Sequence, residues 1–191
     1  VTEFNEANGG DDGTAVGDSR VEIRHANWYL NHKQLGKLTV GRGSMSTDGI
    51  TEIDLVGINV LTLNGFAIGN DFQVGGARFD TVATGTYELE RNNMVRYDTP
   101  TVGGFQGTAA WGEDDRWDGA LRYAGEMSGF RLPGGVGYGV DTDALTGGQD
   151  ERRSVLGSAA VLHVATGLFA SASYARRTTD FILGGSDEET Y

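Results

Sequence analysis

The sequence predicts an all-β fold, an antiparallel barrel whose strands cross a membrane, and three observations carry that expectation. Segments of alternating apolar and polar residues recur along the 191-residue chain, glycine occurs 31 times against two prolines, and the connections between segments fall into a short and a long class. Glycine inside a helix costs roughly 1 kcal/mol relative to alanine, so this composition favours strands and loops. Only 38% of residues are hydrophobic, and no apolar run approaches the ~20 residues of a membrane helix. A barrel passes that test unnoticed, because its signal is alternation along each strand.

Taken in order, residues 18–30 (DSRVEIRHANWYL) set Val21 and Ile23 against Arg20, Glu22 and Arg24. The short connection 31–36 leads to GKLTVGR, with Leu38 and Val40 opposite Lys37 and Thr39, and then to a long irregular stretch, 44–90. NNMVRYD alternates Val95 and Tyr97 with Met94, Arg96 and Asp98. The turn TPTVGG reverses the chain into FQGTAAW, where Phe105, Gly107, Ala109 and Trp111 share one parity. After GEDD, RWDGALRYA places Trp117, Gly119, Leu121 and Tyr123 on one face and Arg116, Asp118, Ala120 and Arg122 on the other. FRLPGGVGYGVD gathers Phe130, Leu132, Val136, Tyr138 and Val140, with Arg131, Pro133, three glycines and Asp141 opposite; Pro133 predicts a bulge or an offset strand start. SVLGSAAVLHVA alternates less well, and GLFASASYARR closes the series with Leu168, Ala170, Ala172 and Tyr174 on one side.

That makes eight strands. Connections 31–36, 99–103, 125–129 and 165–167 are short, whereas 5–17, 44–90, 141–152 and 178–191 are long, and 112–115 is the exception. One end of the sheet is thus expected to carry tight turns and the other long polar loops. Period-2 alternation with aromatics at strand ends also suits a soluble β-sandwich, secreted or surface-bound, that binds glycans or calcium through acidic loops. The alternation of connection lengths favours the barrel, and so does the placement of Trp28, Tyr29, Tyr97, Trp111, Trp117, Tyr123, Tyr138 and Tyr174 near strand ends. Aromatic rings prefer the headgroup level at the two faces of a bilayer.

Charge and composition exclude several functions. With 15 Lys and Arg against 27 Asp and Glu, the formal net charge is −12, so a nucleic-acid partner is disfavoured and cations are the likelier guests by electrostatics alone. Absence of cysteine excludes a disulfide framework. His25, His32 and His163 lack metal-ligand spacing. The Gly-punctuated acidic stretches 8–18 and 141–150 have the oxygen-rich character of calcium loops without EF-hand spacing, so calcium there is a secondary expectation and no other cofactor is implied. TDGITEID brings carboxylates together as a glycoside hydrolase requires, but acids at that spacing in a loop are common by chance. GGVGYG opens no helix, no serine sits in a nucleophile elbow, and the expectation is that the chain is not an enzyme.

RVEIRHANWYLNHKQLGKLTVGRGSMSTDGI, NNMVRYDTPTVGGFQGTAAW and GLFASASYARR together resemble the Gram-negative outer-membrane porins, particularly the general-diffusion porins of alphaproteobacterial type, over roughly residues 18–177. The most specific pieces are a G-x-L-T-x-G-R strand entering a long loop and an N-x-x-R-Y-D-(T/S)-P turn. The resemblance implies an outer-membrane, lipid-embedded homotrimer, each subunit a barrel of about sixteen strands that passes small hydrophilic solutes and ions. It further implies that 44–90 folds back as a constriction loop inside the barrel. Eight strands and a polar end at Tyr191 fit an internal fragment, so residues 1–191 are read as one partial barrel domain. An eight-stranded closed barrel would leave no room for a folded-in loop of ~45 residues.

By the same resemblance, Asp48, Glu52 and Asp54 belong to the loop segment at the constriction, and Arg24, Arg42 and Arg96 to the basic wall facing it. Acids opposed to guanidiniums would set a transverse field across the narrowest point. Arg42 shares the parity of Leu38 and Val40, so it faces inward only if the strand ends or kinks by Gly41. The net charge of −12 predicts a mild preference for cations.

Overall fold

The computed structural model describes residues 2–7, 20–51, 53, 73–74, 77–78, 88–89, 91–142, 149–182 and 184–190. Among these residues, alternating side chains and β-branched or aromatic residues yield twelve strands: β1 (Thr2–Ala7), β2 (Arg20–His32), β3 (Gly36–Ser44), β4 (Gln73–Val74), β5 (Ala77–Arg78), β6 (Arg91–Asp98), β7 (Phe105–Gly112), β8 (Trp117–Met127), β9 (Phe130–Asp141), β10 (Gln149–His163), β11 (Phe169–Phe181) and β12 (Ser186–Thr190). Ten of them form one antiparallel meander in the order β1-β2-β3-β6-β7-β8-β9-β10-β11-β12, and β4 and β5 make a separate two-stranded ladder. A single continuous sheet of this width is not a sandwich of two packed sheets, which removes the alternative architecture. No helix occurs among the described residues.

All eight expected strands are present, and two more flank them. β12 pairs with β11 after a tight reversal, so 178–191 is not a polar loop: β11 runs on to Phe181 and the chain returns at Ser186. β1 likewise occupies residues that open the stretch expected to be irregular. Two of the turns are two-residue reversals with positive φ at both positions, Gly103 (60°) with Gly104 (87°) and Ser128 (52°) with Gly129 (80°). That is the backbone which matches the twist of adjoining strands. The reversal between β7 and β8 instead holds Asp114 and Asp115 at positive φ, a conformation short acidic side chains tolerate.

Pro133 causes no bulge. It pairs with Ala124 of β8 in unbroken register, while the ladder from β9 to β10 skips Leu132 and Pro133 and resumes at Arg131↔Leu162 without a shift, because proline has no N–H to donate. One bulge lies in β2, where Glu3 pairs with His25 but Phe4 with Ile23, leaving Arg24 as the extra residue, and β10 shifts register on β11 between Gln149 and Glu151. An inserted residue reverses strand parity. Ile23 and Trp28 therefore both reach the exposed apolar face although five positions separate them.

The two faces of the sheet differ sharply. One presents exposed Trp28, Leu30, Val95, Tyr97, Phe105, Trp111, Leu121, Val136, Val155 and Tyr174. Aromatics gather at both of its margins: Phe105 stacks at 4.6 Å on Tyr123 near the tight turns, and Trp117 lies 5.6 Å from Tyr138 toward the other end. Phe105 and Trp111, at the two ends of β7, stand about 20 Å apart along the strand, close to the height of a bilayer's apolar band. The opposite face is polar and is covered in part by residues 45–51. Its two small apolar clusters, Ile50 with Leu156 and Ala175, and Met45 with Met94 and Ala110, both join residues 45–50 to strands of the sheet.

Val136 lies mid-strand on the exposed apolar face. Val136→Arg is expected to cost about 2–4 kcal/mol if that face meets hydrocarbon, measured as the shift in a denaturant titration of folding into phospholipid vesicles; a change under 0.5 kcal/mol, as for ordinary surface sites, would show that the face meets water.

Candidate functional site

Residues 45–51 lie across the polar face of β6 to β10, and every strand they cross contributes a contact. Asp118 of β8 is almost fully buried and accepts three hydrogen bonds: from the amides of Ser46 (2.9 Å) and Thr47 (2.6 Å) and from the Thr47 hydroxyl (2.7 Å). Four residues along the same strand face, Arg122 donates through Nη2 to the carbonyls of Ser46 and Asp48, both at 2.8 Å. Arg96 of β6 donates through Nη1 to the carbonyls of Ser44 (3.1 Å) and Met45 (3.0 Å). Its Nε and Nη2 grip Asp98 at 2.9 and 2.7 Å. The Ser158 hydroxyl of β10 donates to the Ile50 carbonyl.

Two further amides turn toward Glu88, which accepts from Gly49 N (2.6 Å), Thr51 N (2.6 Å) and Thr51 Oγ1 (2.7 Å), while the Ile50 amide donates to the Thr47 carbonyl at 3.1 Å. Leu89 N closes the arrangement on Thr47 Oγ1 at 3.1 Å. Carboxylates thus take the backbone donors and guanidiniums the backbone acceptors. A non-regular segment pressed against a wall has no strand partner for its peptide groups, and a buried peptide group without a partner costs about 1–3 kcal/mol. Charged side chains satisfy them here, with stronger bonds than neutral ones give.

Glycines make the close approach possible. A Cβ built on Gly135 would stand 2.9 Å from Ile50 Cδ1, one on Gly137 would stand 2.9 Å from Thr47 Cγ2, and one on Gly139 would stand 3.2 Å from Leu89. These three alternate along β9 and leave a slot on its polar face. Ile50, with no solvent exposure, fills that slot.

Of the residues expected at a constriction, Asp48 sits on this segment, its carbonyl held by Arg122. Glu52 and Asp54 lie outside the described residues, as do most of 44–90 and the acidic stretch 8–18. Arg96 belongs to the wall, but two of its donors hold loop carbonyls and the others hold Asp98. Arg24 occupies the β2 bulge next to His25, with its Nε buried and without a hydrogen-bond partner. Arg42 departs from the expected cluster: β3 continues in register to Ser44, so Arg42 stays with Leu38 and Val40, opposite Ala26 and Asn93, and its Nε donates to the Ile23 carbonyl at 2.9 Å.

Sequence reasoning missed Asp118, Glu88, Ser158 and the glycine slot. The signal for the slot is legible in GGVGYGV, where glycines alternate with large apolar residues: a strand face without side chains invites another segment onto it. The signal for the clamp is Asp118 and Arg122, opposite charges four residues apart on the inward parity of one strand. No metal-binding cluster of His, Cys, Asp and Glu is formed among the described residues.

Asp118→Ala should leave three donors of the 45–51 segment without an acceptor and destabilise its docking by about 2–4 kcal/mol. Protease cleavage within 45–51 should accelerate while cleavage in the β-hairpins does not; unchanged cleavage would remove Asp118 from the anchoring role. Gly137→Val should release the same segment by steric collision.

A protein-family model described as Gram-negative porin matches residues 2–191. No curated protein and no solved structure matches the chain.

Proposed function

The chain belongs to the Gram-negative porin family, and from that premise we propose that it forms a water-filled pore through which small hydrophilic solutes and ions diffuse passively, with a mild preference for cations. Membership assigns it to the cell outer membrane, in a family of channels rather than enzymes. The observation that carries the reading is the docked segment 45–51: an irregular stretch fixed against the polar face of a one-sided apolar sheet narrows whatever space that face encloses.

A passive pore sorts solutes by width and by the field at its narrowest point, where low-dielectric walls focus charge. In this reading Asp48, Glu52 and Asp54 line the loop side of the constriction, and Arg24 and Arg96 the wall, joined by Arg122. Arg42 is left out because it shares the exposed apolar face. Since Arg96 and Arg122 spend donors on loop carbonyls, their first effect is to fix where the loop acids stand, and their positive charge offsets part of the acids' field. The remaining excess of acid, −12 over the whole chain, favours cations. Residues 1–191 act as one partial barrel domain with 44–90 as its constriction loop, its apolar face against lipid, and the assembly is a trimer of the alphaproteobacterial general-diffusion kind.

Single-channel recording in a planar bilayer tests the proposal. Steady conductance steps are expected, with a reversal potential in a KCl gradient that marks cation preference. Neutralising Asp48, Glu52 and Asp54 together should move that potential toward the anion side, and Arg122→Gln should raise conductance and current noise by loosening the loop. Protein that stays soluble without detergent and never conducts would overturn the reading.

A further inference from the structure

The chain contains only two lysines, Lys33 and Lys37, against thirteen arginines, and both lysines line one recess. That recess, about 500 Å³, runs along β2, β3 and β6 from the docked loop at Ser44 down to the tight-turn end at Thr101. His25 and His32, two of the three histidines, line it as well.

Among the described residues, its lysines differ from several arginines in lacking an acidic partner. Arg96, Arg116, Arg122, Arg131, Arg153 and Arg176 each hold a carboxylate or loop carbonyls. Among the described residues, neither lysine has a carboxylate within salt-bridge distance. The Lys37 ammonium rests 4.7 Å over the Tyr29 ring, a contact that fixes its position and leaves its N–H donors open. Among the described residues the one carboxylate lining the recess, Asp98, faces Lys37 across the ladder but is gripped by Arg96. His32 Nδ1 accepts from the amides of Gln34 (3.3 Å) and Leu35 (3.2 Å), which leaves Nε2 as the donor of the neutral ring. The recess therefore offers two uncompensated positive charges and further N–H donors, and its acid is already neutralised.

Building on the pore reading, we propose that this recess is a binding subsite for a small divalent oxyanion of the phosphate class, reached from the tight-turn end. Lysine suits such a ligand because its compact charge binds phosphate without needing a planar fork. The acids elsewhere in the chain do not cancel the site, since fields of exposed charges fade over a Debye length of about 8 Å at physiological ionic strength. The result is an anion-accepting step on one side of a pore whose overall field favours cations.

The test is a titration of inorganic phosphate against single channels of the intact protein, added to one side of the bilayer and then the other. Saturable flicker block is expected, stronger from one side, and the double variant Lys33→Gln with Lys37→Gln should weaken its apparent affinity roughly tenfold, about 1.4 kcal/mol, while keeping the KCl conductance step. Arg131→Gln, which removes a positive charge outside the recess, should leave the block unchanged. Block that survives in the double variant, or that falls equally in the Arg131 variant, would overturn the subsite while the pore stands. Wild-type protein with no conductance at all would overturn the pore, and phosphorus NMR line broadening of phosphate by detergent-solubilised protein then reads the recess alone, its absence overturning the subsite too.

Discussion

The arrangement depends on one carboxylate. Asp118 lies on the polar face of a strand, almost without solvent contact, and takes two backbone amides and a hydroxyl from a segment that belongs to no ladder. A charge in that position is tolerated only because its acceptor sites are filled. The loop donors, in turn, have no other acceptor in the sheet, whose own peptide groups are spent on neighbouring strands. Each side of the contact thus removes a cost from the other, and the remaining anchors at Glu88, Arg96, Arg122 and Ser158 extend the same logic across five strands.

This dependence explains why the two faces of the sheet could diverge so far. An outward face of aromatic and aliphatic side chains needs no covering when lipid is the solvent. Among the described residues the inward face holds both clusters of buried apolar side chains. Its small apolar clusters are contacts between loop and wall, built from Met45 and Ile50 on one side and Met94, Ala110, Leu156 and Ala175 on the other. In a water-soluble protein the large side chains would be inside. Here the buried inner positions are mostly small or polar, such as Thr39, Asn92, Thr108, Ser154 and Gly137.

Much of the fold was legible in the chain because period-2 alternation is a direct record of which face each residue meets. Trp111, Trp117 and Tyr138 announced the exposed face, and short connections at 31–36 and 99–103 announced antiparallel neighbours. The failures have physical causes. β12 carries Ser186, Asp187 and Glu188, residues whose polarity signals loop, yet its pairing with β11 depends on backbone bonds that any side chain permits. Pro133 predicted a bulge or an offset strand start, but losing one donor on one side of β9 does not shift a register held by the other side. The loop anchors escaped because they act across 37 to 108 positions of sequence, and spacing along a chain says nothing of contacts at that range. Arg42 stayed on the apolar parity that its neighbours indicated, against the role that resemblance suggested.

The contact between Ser158 and the Ile50 carbonyl joins residues 108 positions apart, and those of Ser46 and Thr47 with Asp118 join residues 72 and 71 apart. The hairpins β2-β3, β6-β7, β7-β8, β8-β9, β10-β11 and β11-β12, by contrast, close across short reversals, while β3 meets β6 only across residues 45–90. Local hairpins close in microseconds, whereas contacts of high sequence separation must wait until the intervening chain is in place. The seat for Ile50 does not exist until β8, β9 and β10 have been laid side by side. The loop's contacts with Asp118, Ser158 and the glycine slot therefore depend on strand pairings that must already be in place. Until residues 45–50 dock, the glycine slot of β9 stands open.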